Sequence, residues 1–238
     1  MRYVFSCFAL LYACLCTAQV SVDINQQKFV YQMQPRLADV LRPVAYEQPW
    51  YWPAARLYRL NTNKVSELRS EIINKLKFIQ ADADKNEATL VAALIEQITS
   101  WRLAERILIN LDYELAQTKM ERNPRFDNGE YKLELLTRPT DFMMFGAFKE
   151  PLTIPLNGEQ CLHEYVHQAI AELQNKDYVY LIKPNGEDEK IAVAYWNAGC
   201  VDVTPGSQIF LPFDESQFFG DMAKLNAQII ELTKHRLM

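Results

Sequence analysis

The period of the hydrophobic residues changes twice along this 238-residue chain, and that change restricts its fold more than any other feature. From Asn63 to Gln80, the residues Val65, Leu68, Ile72, Leu76 and Ile79 recur at three- and four-residue steps. That is the stripe of an amphipathic helix, and Thr62 is placed to cap it. Asp82-Ala83-Asp84-Lys85-Asn86 is polar and turn-like, and Glu87 to Leu103 resumes the helical spacing through Leu90, Leu94, Ile98 and Trp101. Two helices joined by a short polar turn form an αα-hairpin. On either side the pattern is that of strands. Val20 to Ile24 alternates apolar and polar residues, Lys28 to Gln32 reads as a short strand, and Tyr51 to Leu60 as an aromatic-rich one. Arg106 to Asp112 places Ile107, Ile109 and Leu111 on one face, and Tyr131 to Leu136 is a further strand after a loop at Asn123 to Gly129. A brief helix, Pro35 to Leu41, begins with proline in its first turn and ends before Pro43.

A second β unit follows. Phe142 to Phe148 and Leu152 to Leu156 read as strands, Glu159 to Leu173 as a helix, and Tyr178 to Ile182 with Lys190 to Tyr195 as a hairpin around Pro184-Asn185-Gly186. Ile209 to Leu211 is a last short strand. Strand–strand–helix–strand–strand is the order of a β-grasp, ubiquitin-like domain, and the first unit has it too if the helical hairpin is an insertion. Ser216 to Arg236 is a final amphipathic helix, with Phe218, Met222, Leu225, Ile229 and Leu232 as its stripe. The expected fold is therefore α+β: tandem β-grasp domains with a helical-hairpin insert and a C-terminal amphipathic helix. The expected divisions are residues 1–18, 19–137 (insert about 63–103), 138–213 and 214–238.

Arg2 followed by an apolar stretch, Tyr3 to Leu15, is too short to span a bilayer, and Cys16-Thr17-Ala18 supplies small residues before Gln19. This reads as a secretory signal cleaved after Ala18. The alternatives are a membrane anchor and, since Leu11-Tyr12-Ala13-Cys14 is a loose lipobox, lipidation at Cys14. Removal of the signal leaves Cys161 and Cys200, an even pair that in an oxidising compartment is a disulfide candidate; two free thiols are the alternative. With 25 basic and 30 acidic residues and no Lys/Arg-rich run, the chain lacks the basic footprint of a nucleic-acid binder.

One motif points to catalysis. His163-Glu164-Tyr165-Val166-His167 matches H-E-x-x-H, in which two histidines on one helical face hold zinc and the glutamate acts as general base. A catalytic zinc needs a third protein ligand. His235 lies far along the chain, so Glu187 or Glu189 would have to serve. The helix has another explanation: Leu162, Tyr165, Val166, Ala169, Ile170 and Leu173 form a core-facing stripe, leaving His163 and His167 on its flank. Surface histidines and no zinc are expected, with a zinc metallopeptidase as the alternative. There is no Gly-rich phosphate loop and no G-x-S-x-G elbow. Asp82 and Asp84 are expected to be solvated turn residues, and Trp50, Tyr51 and Trp52 to be packing aromatics rather than a sugar platform. No catalytic residue or cofactor is expected. Arg106 stands where a hydrophobic helix passes into a strand, and its five donors suit a junction between insert and domain. The alternative is an exposed arginine.

Five segments stand in a fixed order: Tyr51-Trp52-Pro53-Ala54-Ala55-Arg56-Leu57, Arg106 with Ile107-Leu108-Ile109-Asn110-Leu111-Asp112, Arg138-Pro139 with Gly146-Ala147-Phe148, Tyr195-Trp196-Asn197, and Pro205-Gly206-Ser207-Gln208-Ile209. In that order they resemble the GfcC family of capsule-biosynthesis proteins. The last is also similar to the ligand-binding β-grasp modules of Wza-type exporters. The resemblance implies the tandem β-grasp architecture, a junction role for Arg106, and a non-enzymatic, periplasmic part in capsule or exopolysaccharide assembly or export in a Gram-negative bacterium. The partners it implies are other capsule export proteins or the polysaccharide, with at most a peripheral association with the outer membrane.

Overall fold

The computed structural model describes residues 19–169, 177–213 and 221–237. The first sheet consists of β1 (Val20–Ile24), β2 (Gln27–Tyr31), β3 (Arg56–Arg59), β4 (Glu105–Ile107) and β5 (Gly129–Glu134), in the order β2-β1-β5-β3-β4. The second consists of β6 (Asp141–Gly146), β7 (Leu152–Pro155), β8 (Tyr178–Ile182), β9 (Asp188–Ala192) and β10 (Gln208–Leu211), in the order β7-β6-β10-β8-β9. Counted within each unit, the two orders are the same. In each sheet the first and fifth strands run parallel, and every other neighbouring pair is antiparallel. The helices are α1 (Leu37–Leu41), α2 (Lys64–Asp82), α3 (Lys85–Ser100), α4 (Tyr113–Thr118), α5 (Leu162–Ala169) and α6 (Asp221–Lys234). Among the described residues, no helix is long and apolar enough to cross a membrane.

Two hydrophobic cores result, and the helical hairpin belongs to the unexpected one. Val20, Val22 and Ile24 of β1, Leu57 of β3 and Leu133 of β5 pack with Leu37, Val40 and Leu41 of α1 and with Tyr113 and Ala116 of α4. The hairpin is inserted in the first unit by sequence, yet Ile72 and Leu76 of α2 and Leu94 and Ile98 of α3, all fully buried, join the core of the second. Each such side chain contributes roughly 1.5–3 kcal/mol of gross burial energy. Trp101 meets Phe145 of β6 edge-on, with ring centroids 5.3 Å apart. Gln97 donates from Nε2 to the Phe148 carbonyl at 3.0 Å and accepts from the Gly146 amide at 3.3 Å. The tail helix closes the same core through Met222, Leu225, Ile229 and Leu232. Phe218, expected to extend this stripe, lies outside the described residues.

Some boundaries differ from the sequence reading. Asn63, not Thr62, is the N-cap of α2. Trp52 to Ala54 form a 3-10 turn, so the aromatic strand is shortened to β3. The strand after the hairpin stops at Ile107, short of the expected Asp112, which instead caps α4 by accepting from the Leu115 amide at 2.9 Å. Helix α5 begins at Leu162 rather than Glu159, and residues 170–173 of its expected extent fall outside the described residues.

Candidate functional site: a polar seam between the two units

Residues alternate across a strand, and cross-strand partners share a face. Leu57 pairs with Ile107 and with Leu133, and all three face the first core. The opposite face of the same strands therefore carries Arg56 opposite Glu134, and Tyr58 opposite both Arg106 and Lys132. In an isolated unit this face would be wet. Here the second unit and the tail cover it: Arg56 is 3% exposed and Tyr58 0%.

Among the described residues, the hydrogen bonds that Arg56, Tyr58 and Arg106 make across this face engage backbone or tail. Arg106 donates from Nη2 to the carbonyl of Pro184, in the turn between β8 and β9. Its own amide donates to Nδ1 of His235 at 2.9 Å. Arg56 donates from Nη2 to the Gly206 carbonyl at 3.4 Å, and the Tyr58 hydroxyl donates to the Arg236 carbonyl at 2.5 Å. Arg236 reaches back to Gln208 Oε1 at 2.9 Å and lies over the Trp101 ring, 4.6 Å from its centroid. Arg106 is thus half-buried and joins the first sheet to the second unit and the tail, rather than joining the insert to its parent sheet.

The electrostatics follow from this burial. Desolvation, reinforced by the Arg56 charge, pulls the Arg106 guanidinium down to about 10, and burial does the same to Arg236. Burial pushes the Tyr58 phenol up to about 12 against the opposing pull of Arg56. Glu134 is the carboxylate acting on Tyr58 and Arg106, and it also lies 3.6 Å from Lys132 Nζ. A cleft of about 450 Å³ opens beside Arg106, walled by Trp52, Asn110 and Asp112 of the first unit and Asn185 of the second. Of this cluster, sequence reasoning singled out Arg106 alone. The missed signal was the alternation itself: Arg56-Leu57-Tyr58 and Lys132-Leu133-Glu134 each put charged or hydroxyl groups on the face opposite the core leucine.

The H-E-x-x-H residues are assembled differently. Leu162, Tyr165 and Val166 of α5 are buried, and Tyr165 packs edge-on against Phe142 with centroids 5.0 Å apart. The Glu164 carboxylate accepts from the Cys161 amide at 2.8 Å and so caps its own helix. The His163 and His167 rings are 6.2 Å apart, and among the described residues no group of three or more His, Cys, Asp or Glu side chains could hold a metal ion. Glu187 and Glu189 instead face Lys183, at 3.8 and 3.7 Å. His235, the other histidine, binds the seam. Cys161 and Cys200 are joined in a disulfide with Cα atoms 5.0 Å apart, tying the start of α5 to the segment before β10.

Trp50 donates from Nε1 to the Val44 carbonyl at 2.8 Å, and Trp50 and Trp52 pack on the first core. Tyr51 lies under Arg138, 5.3 Å from ring centroid to guanidinium. Asp84 is the N-cap of α3, accepting from the amides of Asn86 and Glu87, while Asp82 is the last residue of α2.

The two structural units coincide with two family matches. Residues 16–138 match the family described as capsule biosynthesis GfcC, N-terminal, and residues 150–238 match capsule biosynthesis GfcC C-terminal. The chain belongs to the GfcC family. Its similarity extends to the uncharacterized protein YjbG of Escherichia coli strain K12, 27% identical over 206 residues that cover 86% of this chain and 80% of YjbG. Within this GfcC-family chain, Arg56 and Arg106 fall in the N-terminal match, while Pro184, Gly206 and Arg236 fall in the C-terminal one. The seam is therefore built where the two family halves meet.

Proposed function

We propose that this protein is an exported, non-enzymatic accessory factor that acts in the periplasm in the assembly or export of a capsule or related exopolysaccharide. The observation that carries the reading is the pair of family matches, which span both structural units in chain order. Two further features support it. The shared strand order of the two sheets suits tandem β-grasp domains. The apolar Tyr3 to Leu15 stretch followed by Cys16-Thr17-Ala18 suits export with cleavage after Ala18. The partners on this reading are other capsule export proteins or the polymer itself. Helix α5 acts as a sheet-packing helix and not as a zinc site. The test is to delete the gene, quantify surface polymer, and identify the N-terminus of the protein released by periplasmic extraction. Loss of polymer with a mature N-terminus at Gln19 is the expected result. Unchanged polymer, or a chain that starts at Met1 or carries lipid on Cys14, would contradict it.

A further inference from the structure

The two sheets have four edge strands, β2, β4, β7 and β9, and three of them are closed by recognisable means. Open strand edges invite pairing with another chain, and native proteins cover them, charge them or place proline in them. The tail covers β4, through bonds from the Ala104 amide to the His235 carbonyl and from the Leu237 amide to the Arg102 carbonyl. Strand β7 is four residues long, follows Pro151 and ends at Pro155. Strand β9 exposes Asp188, Glu189 and Lys190.

Strand β2 has none of these protections. Its sequence, Gln27-Lys28-Phe29-Val30-Tyr31, holds one charge and no proline. It pairs with β1 residue for residue, without a bulge, and Lys28 stands opposite Asp23. Among the described residues, no other backbone–backbone hydrogen bond reaches residues 27–31. The hairpin sets the direction of its open groups. The Asn25 amide bonds to Leu133 on β5, so Ile24 faces β2 and bonds with Gln27 across the two-residue turn. Alternation turns the Phe29 and Tyr31 backbones toward β1 as well, and points the N–H and C=O of Lys28 and Val30 outward. The Phe29 and Tyr31 side chains lie on the core side, opposite Val22 and Val20, yet both are only half-buried because the sheet ends there. Val30, on the other face, is 47% exposed.

We propose that β2 is a self-association edge, to which β2 of a second copy of this chain adds as an antiparallel strand about a two-fold axis beside Phe29. Phe29 then meets the second copy's Phe29, Lys28 meets Val30, and Gln27 meets Tyr31. This register overlaps all five residues of the strand and joins the outward groups of Lys28 to those of Val30. It continues the apolar side of the sheet across the axis with an aromatic pair, and it sets no like charges directly opposite one another. A second copy therefore supplies what the edge lacks in both backbone and side chain. Because the tail covers β4 at the far edge of each sheet, the joined sheets end in closed edges and assembly stops at two copies.

Sedimentation equilibrium of the full mature protein tests this. The interface is small, so the average mass should rise from one chain toward two between about 10 µM and about 0.5 mM. Two variants at the exposed Val30 read the register. Val30→Lys sets like charges opposite Lys28 on both sides of the axis and should weaken association about tenfold or more. Val30→Glu sets opposite charges there and should associate at least as tightly as wild type. Unfolding midpoints of the dilute variants establish that both are folded. Should Val30→Lys fail to fold, amide exchange in wild type decides. The Lys28 and Val30 amides should exchange more slowly in concentrated than in dilute protein, with Phe29 and Tyr31 equally protected in both. A wild type that keeps the mass of one chain throughout would overturn the proposal and leave the edge to a strand of some other protein. A mass that grows beyond two chains, or equal association of Val30→Lys and Val30→Glu, would overturn it as well.

Discussion

Nδ1 of His235 accepts the backbone N–H of Arg106 at 2.9 Å, which hydrogen-bonds the end of the chain to the edge strand of the first sheet. Around that bond, the Ala104 amide donates to the His235 carbonyl at 3.0 Å and the Leu237 amide to the Arg102 carbonyl at 2.9 Å. The tail thus covers strand edge groups that would otherwise be open to pairing with another chain. It also fixes the position from which Arg106 reaches Pro184.

Substitution of Arg106 should therefore cost more than substitution of its exposed neighbour Arg102. Arg106→Ala leaves the Pro184 carbonyl short of its donor, at about 1–3 kcal/mol. Arg106→Lys should rescue little, because a point charge does not reproduce the planar fork. Arg102→Ala is expected to stay within about 0.5 kcal/mol of wild type. Urea unfolding of the three proteins checks this, and equal midpoints for Arg102→Ala and Arg106→Ala would refute it.

The other ring nitrogen of His235 lies 3.5 Å from Glu231, whose carboxylate also meets Lys234 at 3.1 Å. The hydrogen bond from His235, helped by Lys234, holds the Glu231 carboxyl down to about 2, below its ordinary value of 4.5. A depressed acid contributes stability that is complete above about 4.5 and is lost as pH falls toward 2. The difference in stability between wild type and Glu231→Gln should accordingly be constant from pH 5 to 7 and shrink below about 4.5. A difference that does not change with pH would show that the carboxylate is not held by the tail.

The Cys161–Cys200 bridge closes a loop of 39 residues, which in the chain-entropy model stabilises by roughly 3–4 kcal/mol. Non-reducing peptide mapping should recover the linked pair. Reduction, or a double Cys→Ser variant, should lower the unfolding midpoint. Two free thiols in protein extracted from the periplasm would contradict the bridge.

Gly146 should tolerate no side chain. Its φ is +125°, and a Cβ there would lie 2.2 Å from the Leu211 carbonyl oxygen on the parallel neighbour β10. Both objections are to backbone, so no rotamer relieves them. Gly146→Ala should destabilise by at least about 2 kcal/mol, or prevent folding. Gly158→Ala, with nothing near the added carbon, is the matched control. Similar midpoints for the two variants would be the contrary result.

Periodicity carried the sequence reading a long way, because a strand or helix that buries one face must repeat its apolar residues. That repeat located the two sheets, the hairpin of Val65 to Trp101 and the stripe of α6. It could not say which core the hairpin enters, since the apolar face of Ile72 and Leu76 suits either sheet equally well. Helix α4 was missed because Tyr113 and Ala116 give it only two buried residues in six. The seam was hidden for a different reason. Arg56, Tyr58 and Glu134 look like the solvent face of a half-buried sheet, and only the arrival of Pro184, Gly206 and Arg236 from distant parts of the chain turns that face inward. His235 was weighed as a remote third ligand for zinc, whereas its place is beside Arg106.

One complementation experiment tests directly whether α5 serves packing and not chemistry. In a deletion strain, capsule polymer at the cell surface is quantified after restoring either wild type or Glu164→Gln, with folding and amount of both proteins matched. The Glu164→Gln substitution keeps an acceptor oxygen for the Cys161 amide but removes any general base. The account predicts that deletion removes surface polymer, that both proteins restore it equally, and that the purified wild type carries well under about one zinc per chain. Restoration by wild type but not by a folded Glu164→Gln, together with stoichiometric zinc, would contradict it.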